Sequence, residues 1–214
     1  VFDLVDVGTP VLVFEHDFST DHFSYSTPEV PVGADAYLAA DLKNNYVFYA
    51  EGQNTKLPIA SITKLMTALV ATEYLNLDTV TRIPKEAIVY TSVPRFKEGE
   101  EISVYQLLFP LLTESSNEAA ETIARHYGRD RFVTRMNQKA KSIGMIDTVF
   151  TDPSGAGAEN VSTPEDLFML AKYLYNNRSF VFNITSGKLK GSAYGASVFT
   201  DLQNFNDLYD HKYF

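Results

Sequence analysis

Between Leu57 and Ala71 the sequence runs almost wholly apolar, and its single charge is Lys64. Pro58 can open a helix here because the first helical residues need no N–H partner, and Leu65, Ala68 and Leu69 then recur at helical spacing. The rest of the chain must be organised around such an apolar helix. Ser61 and Lys64 stand three residues apart near its start, so both side chains project from one face and can touch. A hydroxyl is a poor nucleophile at neutral pH until a base takes its proton, and a lysine amine does so once desolvation or a nearby positive charge lowers its pKa. Burial near the positive end of a helix dipole supplies that push. The spacing therefore suits an activated serine, and this is the only Ser-x-x-Lys in the chain. On spacing alone, an exposed helix that happens to carry both residues is the competing explanation.

Composition narrows the classes of partner. The 214 residues hold 27 acidic against 18 basic side chains, a net charge of −9, which argues against nucleic acid because phosphate binding needs a basic face. Cysteine is absent, so there is neither disulfide nor thiolate chemistry, and no compartment is identified by it. No apolar run reaches the roughly 18 residues of a membrane span. No signal peptide is visible, and the chain begins at Val1 rather than Met, as a processed or trimmed product would.

Residues 1–33 read as an N-terminal arm broken by Gly8, Pro10, Pro28, Pro31 and Gly33, with one short strand over Val11 to Phe14. Glu15, His16, Asp17, Asp21 and His22 are metal-ligating types, but no spacing fixes a coordination geometry, and a solvated turn explains them. No metal or organic cofactor is expected. From Ala34 two apolar runs, Ala36–Leu42 and Tyr46–Ala50, flank Lys43-Asn44-Asn45 in a hairpin pattern. Beyond the central helix, Val80, Ile83, Ile88 and Val89 suggest short strands. Ser103 can cap a helix carrying Leu107, Leu108, Leu111 and Leu112, which must be buried. At its end stands Ser115-Ser116-Asn117, the only Ser-x-Asn in the chain, followed by a helix through Ala120, Ile123, Ala124 and Tyr127 to Gly128. Taken by itself, Ser115 or Ser116 is a helix N-cap. Phe132, Met136, Ala140 and Ile143 continue the helical spacing to a stop at Gly144. Thr163-Pro164-Glu165-Asp166 is a strong helix start, with Asn176-Asn177 as its end, and capping accounts for both acids. His126 and His211 have no partner at ligand spacing, and Gly187-Lys188 with Gly191 lacks the spacing of a phosphate loop.

The run Ala60-Ser61-Ile62-Thr63-Lys64-Leu65-Met66-Thr67-Ala68 resembles the nucleophile signature of the D-alanyl-D-alanine carboxypeptidases, the low-molecular-mass penicillin-binding proteins. The resemblance extends in order from about Ala34 to Phe214. It takes in the hairpin, the Lys97–Glu101 turn, Ser115-x-Asn117, the Phe132-Val133 to Met136-Asn137 helix, Gly144-Met145 and the Pro153-Ser154-Gly155 loop. It implies an α+β fold of the β-lactamase/transpeptidase kind over residues 34–214, an antiparallel sheet packed with helices beside a mostly helical lobe. It also implies an extracytoplasmic serine D,D-carboxypeptidase that cleaves the terminal D-Ala of peptidoglycan stem peptides and is acylated by β-lactam antibiotics. In that scheme Lys64 deprotonates Ser61, Ser115 relays a proton to the leaving amine, and Asn117 binds a substrate amide. Membrane association would run through segments outside these residues.

The resemblance breaks at the third motif. No Lys-Thr-Gly occurs in the 214 residues, although Phe199–Leu208 resembles the approach to it. The motif lies on a strand that supplies one oxyanion-hole donor, the nucleophile's own N–H being the other, and one such donor is worth roughly 3 kcal/mol in the transition state. The last strands of the sheet are therefore expected to be missing from this sequence. Three other functions stay open: a D,D-endopeptidase, a β-lactamase of the same fold, or a non-catalytic wall-binding module. Against the β-lactamase stands Ser116, where class A enzymes usually carry Asp.

Overall fold

The structure is a computed structural model that describes residues 33–189 and 195–206. The arm, with its Val11–Phe14 strand and its Glu15–His22 cluster, and His211 lie outside the described residues. Strands β1 (Tyr37–Ala40) and β2 (Val47–Glu51) form the expected antiparallel hairpin. Its turn closes with Asp41 and Tyr46 paired through their backbones at 2.7 Å, and Asn45 takes the left-handed conformation such a turn requires.

Pro58 does not open the central helix. It lies in a two-residue strand, β3 (Leu57–Pro58), and the Ile59 N–H donates to the Asn160 carbonyl at 3.0 Å. That pairing keeps Leu57 and Pro58 in a strand, so the helical run starts only at a 3-10 turn, Ala60–Ile62, with Ile59 as its N-cap, before α1 (Thr63–Tyr74). Met66, Ala68, Leu69, Val70 and Ala71 of α1 are wholly buried, which is why the helix has so little polar face.

Next, β4 (Val80–Arg82) pairs antiparallel with β5 (Glu101–Ser103); of the residues expected in strands here, Ile83, Ile88 and Val89 lie outside any strand. Ser103 caps α2 (Val104–Thr113) by accepting from the Gln106 N–H at 3.2 Å. Helix α3 (Asn117–Tyr127) is capped by Ser116 and ends at Gly128, whose φ of 99° favours glycine. Then come α4 (Arg129–Ser142), β6 (Val161–Ser162), which pairs with β3, α5 (Pro164–Asn177) and α6 (Phe180–Thr185). Thr163 caps α5 as its sequence predicts, and the buried Asp166 carboxylate accepts from the Asp147 N–H and the Thr148 hydroxyl, a structural use of that acid.

Helix α1 packs against α2, α3, α4 and α6, so its ends are fixed from several sides. Among the described residues the strands form three separate antiparallel pairs rather than one broad sheet, and no helix is long and apolar enough to cross a membrane.

Candidate active site

Ser61 sits in the 3-10 turn that leads into α1, where its side chain is exposed, while Lys64 one turn later is only 3% exposed. The Lys64 Nζ is 3.1 Å from the Ser61 Oγ, as the three-residue spacing predicts. From the junction of α2 and α3, the Ser115 hydroxyl donates to the same Ser61 Oγ at 2.8 Å. Ser115 thus joins Lys64 through Ser61, and the three side chains make one continuous hydrogen-bonded chain.

The loop at Asp152–Gly155 secures the lysine, a role the sequence did not reveal. The Ser154 carbonyl accepts from the Lys64 Nζ at 2.7 Å. Asp152 Oδ1 holds that loop tight by accepting from the Ser154 N–H, the Ser154 hydroxyl and the Gly155 N–H. Asn160 is completely buried and ties the loop to α1: its Oδ1 accepts from Thr151 and Asp152, and its Nδ2 donates to the Asp152 carbonyl and the Thr63 hydroxyl. Thr67 adds a hydrogen bond to the Pro153 carbonyl at 2.6 Å. These contacts come from main-chain carbonyls and buried amides, which carry no sequence signature beyond Asp152 and Gly155 themselves.

Burial lowers the Lys64 amine from its ordinary value to about 8, the Asp152 carboxylate opposing part of that fall. The neutral amine is the form that can take the Ser61 proton. If it does, the acylation rate of Ser61 rises roughly tenfold per pH unit below about 8 and levels off above it, because the deprotonated fraction does so. A second-order rate profile with a penicillin from about pH 6 to 9.5 checks this; a flat profile contradicts it.

Asn117 stands at the first position of α3, with its N–H donating to the Thr91 hydroxyl at 3.2 Å and its Nδ2 to the Tyr90 carbonyl at 2.8 Å. The side-chain nitrogen is therefore engaged by the Tyr90 loop, and Oδ1 is the acceptor end of the amide. His126 is exposed in the last turn of α3. Among the described residues, no three His, Cys, Asp or Glu side chains gather in a metal-binding group.

Residues 22–214 match the family described as D-alanyl-D-alanine carboxypeptidase. The chain belongs to that family. It is 39% identical over 154 residues to a D-alanyl-D-alanine endopeptidase of Escherichia coli, a match over 68% of this chain and 48% of the relative. A D-alanyl-D-alanine carboxypeptidase of Mycobacterium tuberculosis is 34% identical over 162 residues, 73% of this chain and 55% of the relative. The chain spans about half the length of these curated relatives. Among solved structures, a penicillin-binding protein of Listeria monocytogenes in its cefotaxime-bound form superposes with a TM-score of 0.70 at 29% identity, over 86% of this chain and 77% of the other. The α+β penicillin-binding-protein fold is thus the fold of this chain, whose described residues pack helices on small antiparallel pairs.

Proposed function

We propose that this chain carries the catalytic centre of a serine D,D-peptidase that removes the terminal D-Ala of peptidoglycan stem peptides through an acyl-enzyme. The observation that carries the reading is the unbroken hydrogen-bonded chain from a buried lysine through an exposed serine to a second serine. Neutral Lys64 takes the Ser61 proton as Ser61 Oγ attacks the carbonyl of the penultimate D-Ala. The C–N bond then breaks, and the proton passes through Ser115 to the leaving amine. Water, deprotonated by the same lysine, hydrolyses the ester and frees Ser61. Asn117 Oδ1 accepts an N–H of the bound peptide. β-Lactams acylate Ser61 by the same route, and a peptidoglycan substrate sets the reaction outside the cytoplasm.

A second reading has its own support in the Escherichia coli endopeptidase at 39% identity. Carboxypeptidase and endopeptidase chemistry share the acyl donor and differ in the leaving amine, a free D-Ala or the cross-linked side chain of a neighbouring stem. The test is incubation with a stem pentapeptide and, separately, with a D,D-cross-linked dimer. Release of D-Ala from the pentapeptide supports the carboxypeptidase. Cleavage of the dimer with the pentapeptide untouched moves the assignment to the endopeptidase, and turnover of neither overturns both.

A further inference from the structure

Ser115 is a non-glycine residue in the left-handed conformation, φ 57°, a strained state that persists only where the flanking chain fixes it. One flank is local: the Ser116 N–H donates to the Pro110 carbonyl at 3.0 Å, and the Ser116 hydroxyl caps α3. The other flank is Glu114, whose side chain is fully buried and uses both oxygens. Oε2 accepts from Arg95 Nε, and Oε1 accepts from Arg95 Nη2 and, at 2.8 Å, from the Gln203 N–H. Arg95 is itself only 11% exposed. Its backbone N–H donates to Glu118 in the first turn of α3, and its guanidinium reaches residues 199–205 through Asp201 Oδ1 at 2.9 Å and the Asp201 carbonyl at 3.1 Å. The same guanidinium lies 5.7 Å over the Phe199 ring, and the Phe205 N–H donates to the Thr113 carbonyl at 2.8 Å.

We propose that Glu114 and Arg95 are positioning residues for Ser115, and that residues 199–205 complete the clamp, so that docking of this strap sets how well Ser115 delivers a proton to the leaving group. The inference rests on the acyl-transfer reading above and assigns that reaction an element outside its motifs. Glutamine at 114 keeps the volume but offers one acceptor oxygen where two are in use, and turns an N–H₂ toward groups that are themselves donors. The junction then relaxes, and with it the 2.8 Å contact to Ser61.

The discriminating experiment compares two acylating agents on Glu114→Gln in the full chain. A penicillin expels a nitrogen that needs a proton; a thiol ester expels a thiolate that does not. Displacing a proton relay slows the first by about tenfold or more, within the range of general-acid contributions, and the second by less than about threefold. A merely structural role lowers the active fraction and slows both equally, which would overturn the proposal, as would no change in either. Asp201→Asn serves as the second variant, since that side chain is 75% exposed and its loss leaves the buried pair intact. It should raise hydrogen exchange at the Gln203 and Phe205 amides and shift the same selectivity by a few-fold; faster exchange with unchanged selectivity removes the strap from the account. If the parent chain is acylated by neither agent, the acyl-transfer reading fails and this inference with it, an outcome distinct from a parent that reacts and a variant that keeps its selectivity.

Discussion

Lys64→Met should slow acylation of Ser61 by a penicillin about 10²–10⁴-fold, the range by which a positioned general base accelerates proton transfer. Methionine reproduces the lysine stem as far as Cε and suits a site that is 3% exposed, so helix α1 keeps its packing while the amine that faces Ser61 at 3.1 Å disappears. The loss should fall on rate rather than on folding, and circular dichroism with stopped-flow acylation separates the two. A variant that is folded and reacts within about tenfold of the parent would remove Lys64 from the mechanism.

Gly155→Ala should cost about 2–5 kcal/mol of stability and with it most of the acylation rate. An ideal Cβ on Gly155 falls 1.9 Å from the Ala60 carbonyl oxygen and 2.7 Å from the Thr63 hydroxyl oxygen, inside van der Waals contact with the turn that presents Ser61. The residue also sits at φ +73°, where a side chain adds about 1–2 kcal/mol, and overpacking a close-packed site adds about 1–3 kcal/mol. Relief requires moving either the Asp152–Gly155 loop, which would pull the Ser154 carbonyl off Lys64, or the Ala60 backbone, which would move Ser61. Urea denaturation and acylation kinetics read the two consequences. A loss below about 1 kcal/mol with parental kinetics would show that the loop and the nucleophile turn are not mechanically joined.

How much of this was legible in the sequence follows from the kind of contact involved. The three-residue spacing puts Ser61 and Lys64 on one face, but spacing alone fits an ordinary helix as well; it is the resemblance of the flanking runs to the D-alanyl-D-alanine carboxypeptidases that singles out these two together with Ser115 and Asn117. The caps at Ser103 and Thr163 are readable because each hydroxyl serves an N–H three residues on, whereas at α3 the sequence offers Ser115 or Ser116 and the structure selects Ser116. Pro58 misled because a proline is as acceptable in a two-residue strand as at a helix start, and only the distant pairing with Val161 decides between them. The Asp152–Gly155 loop lay open in the sequence, but its work is done by a main-chain carbonyl and by the absence of a Cβ, neither of which a pattern displays. Glu114 adjoins the second motif, yet its partners are Arg95 and Gln203, 19 and 89 residues away, and no periodicity encodes such a pair.

Every proposed step passes through an acyl-enzyme formed on Ser61. Intact-mass analysis of the 214-residue chain after incubation with benzylpenicillin, followed by peptide mapping, tests that directly. The expected result is a single adduct of the mass of the antibiotic on the peptide containing Ser61, absent from Ser61→Ala. An unmodified chain, or an adduct on any other residue, would contradict it.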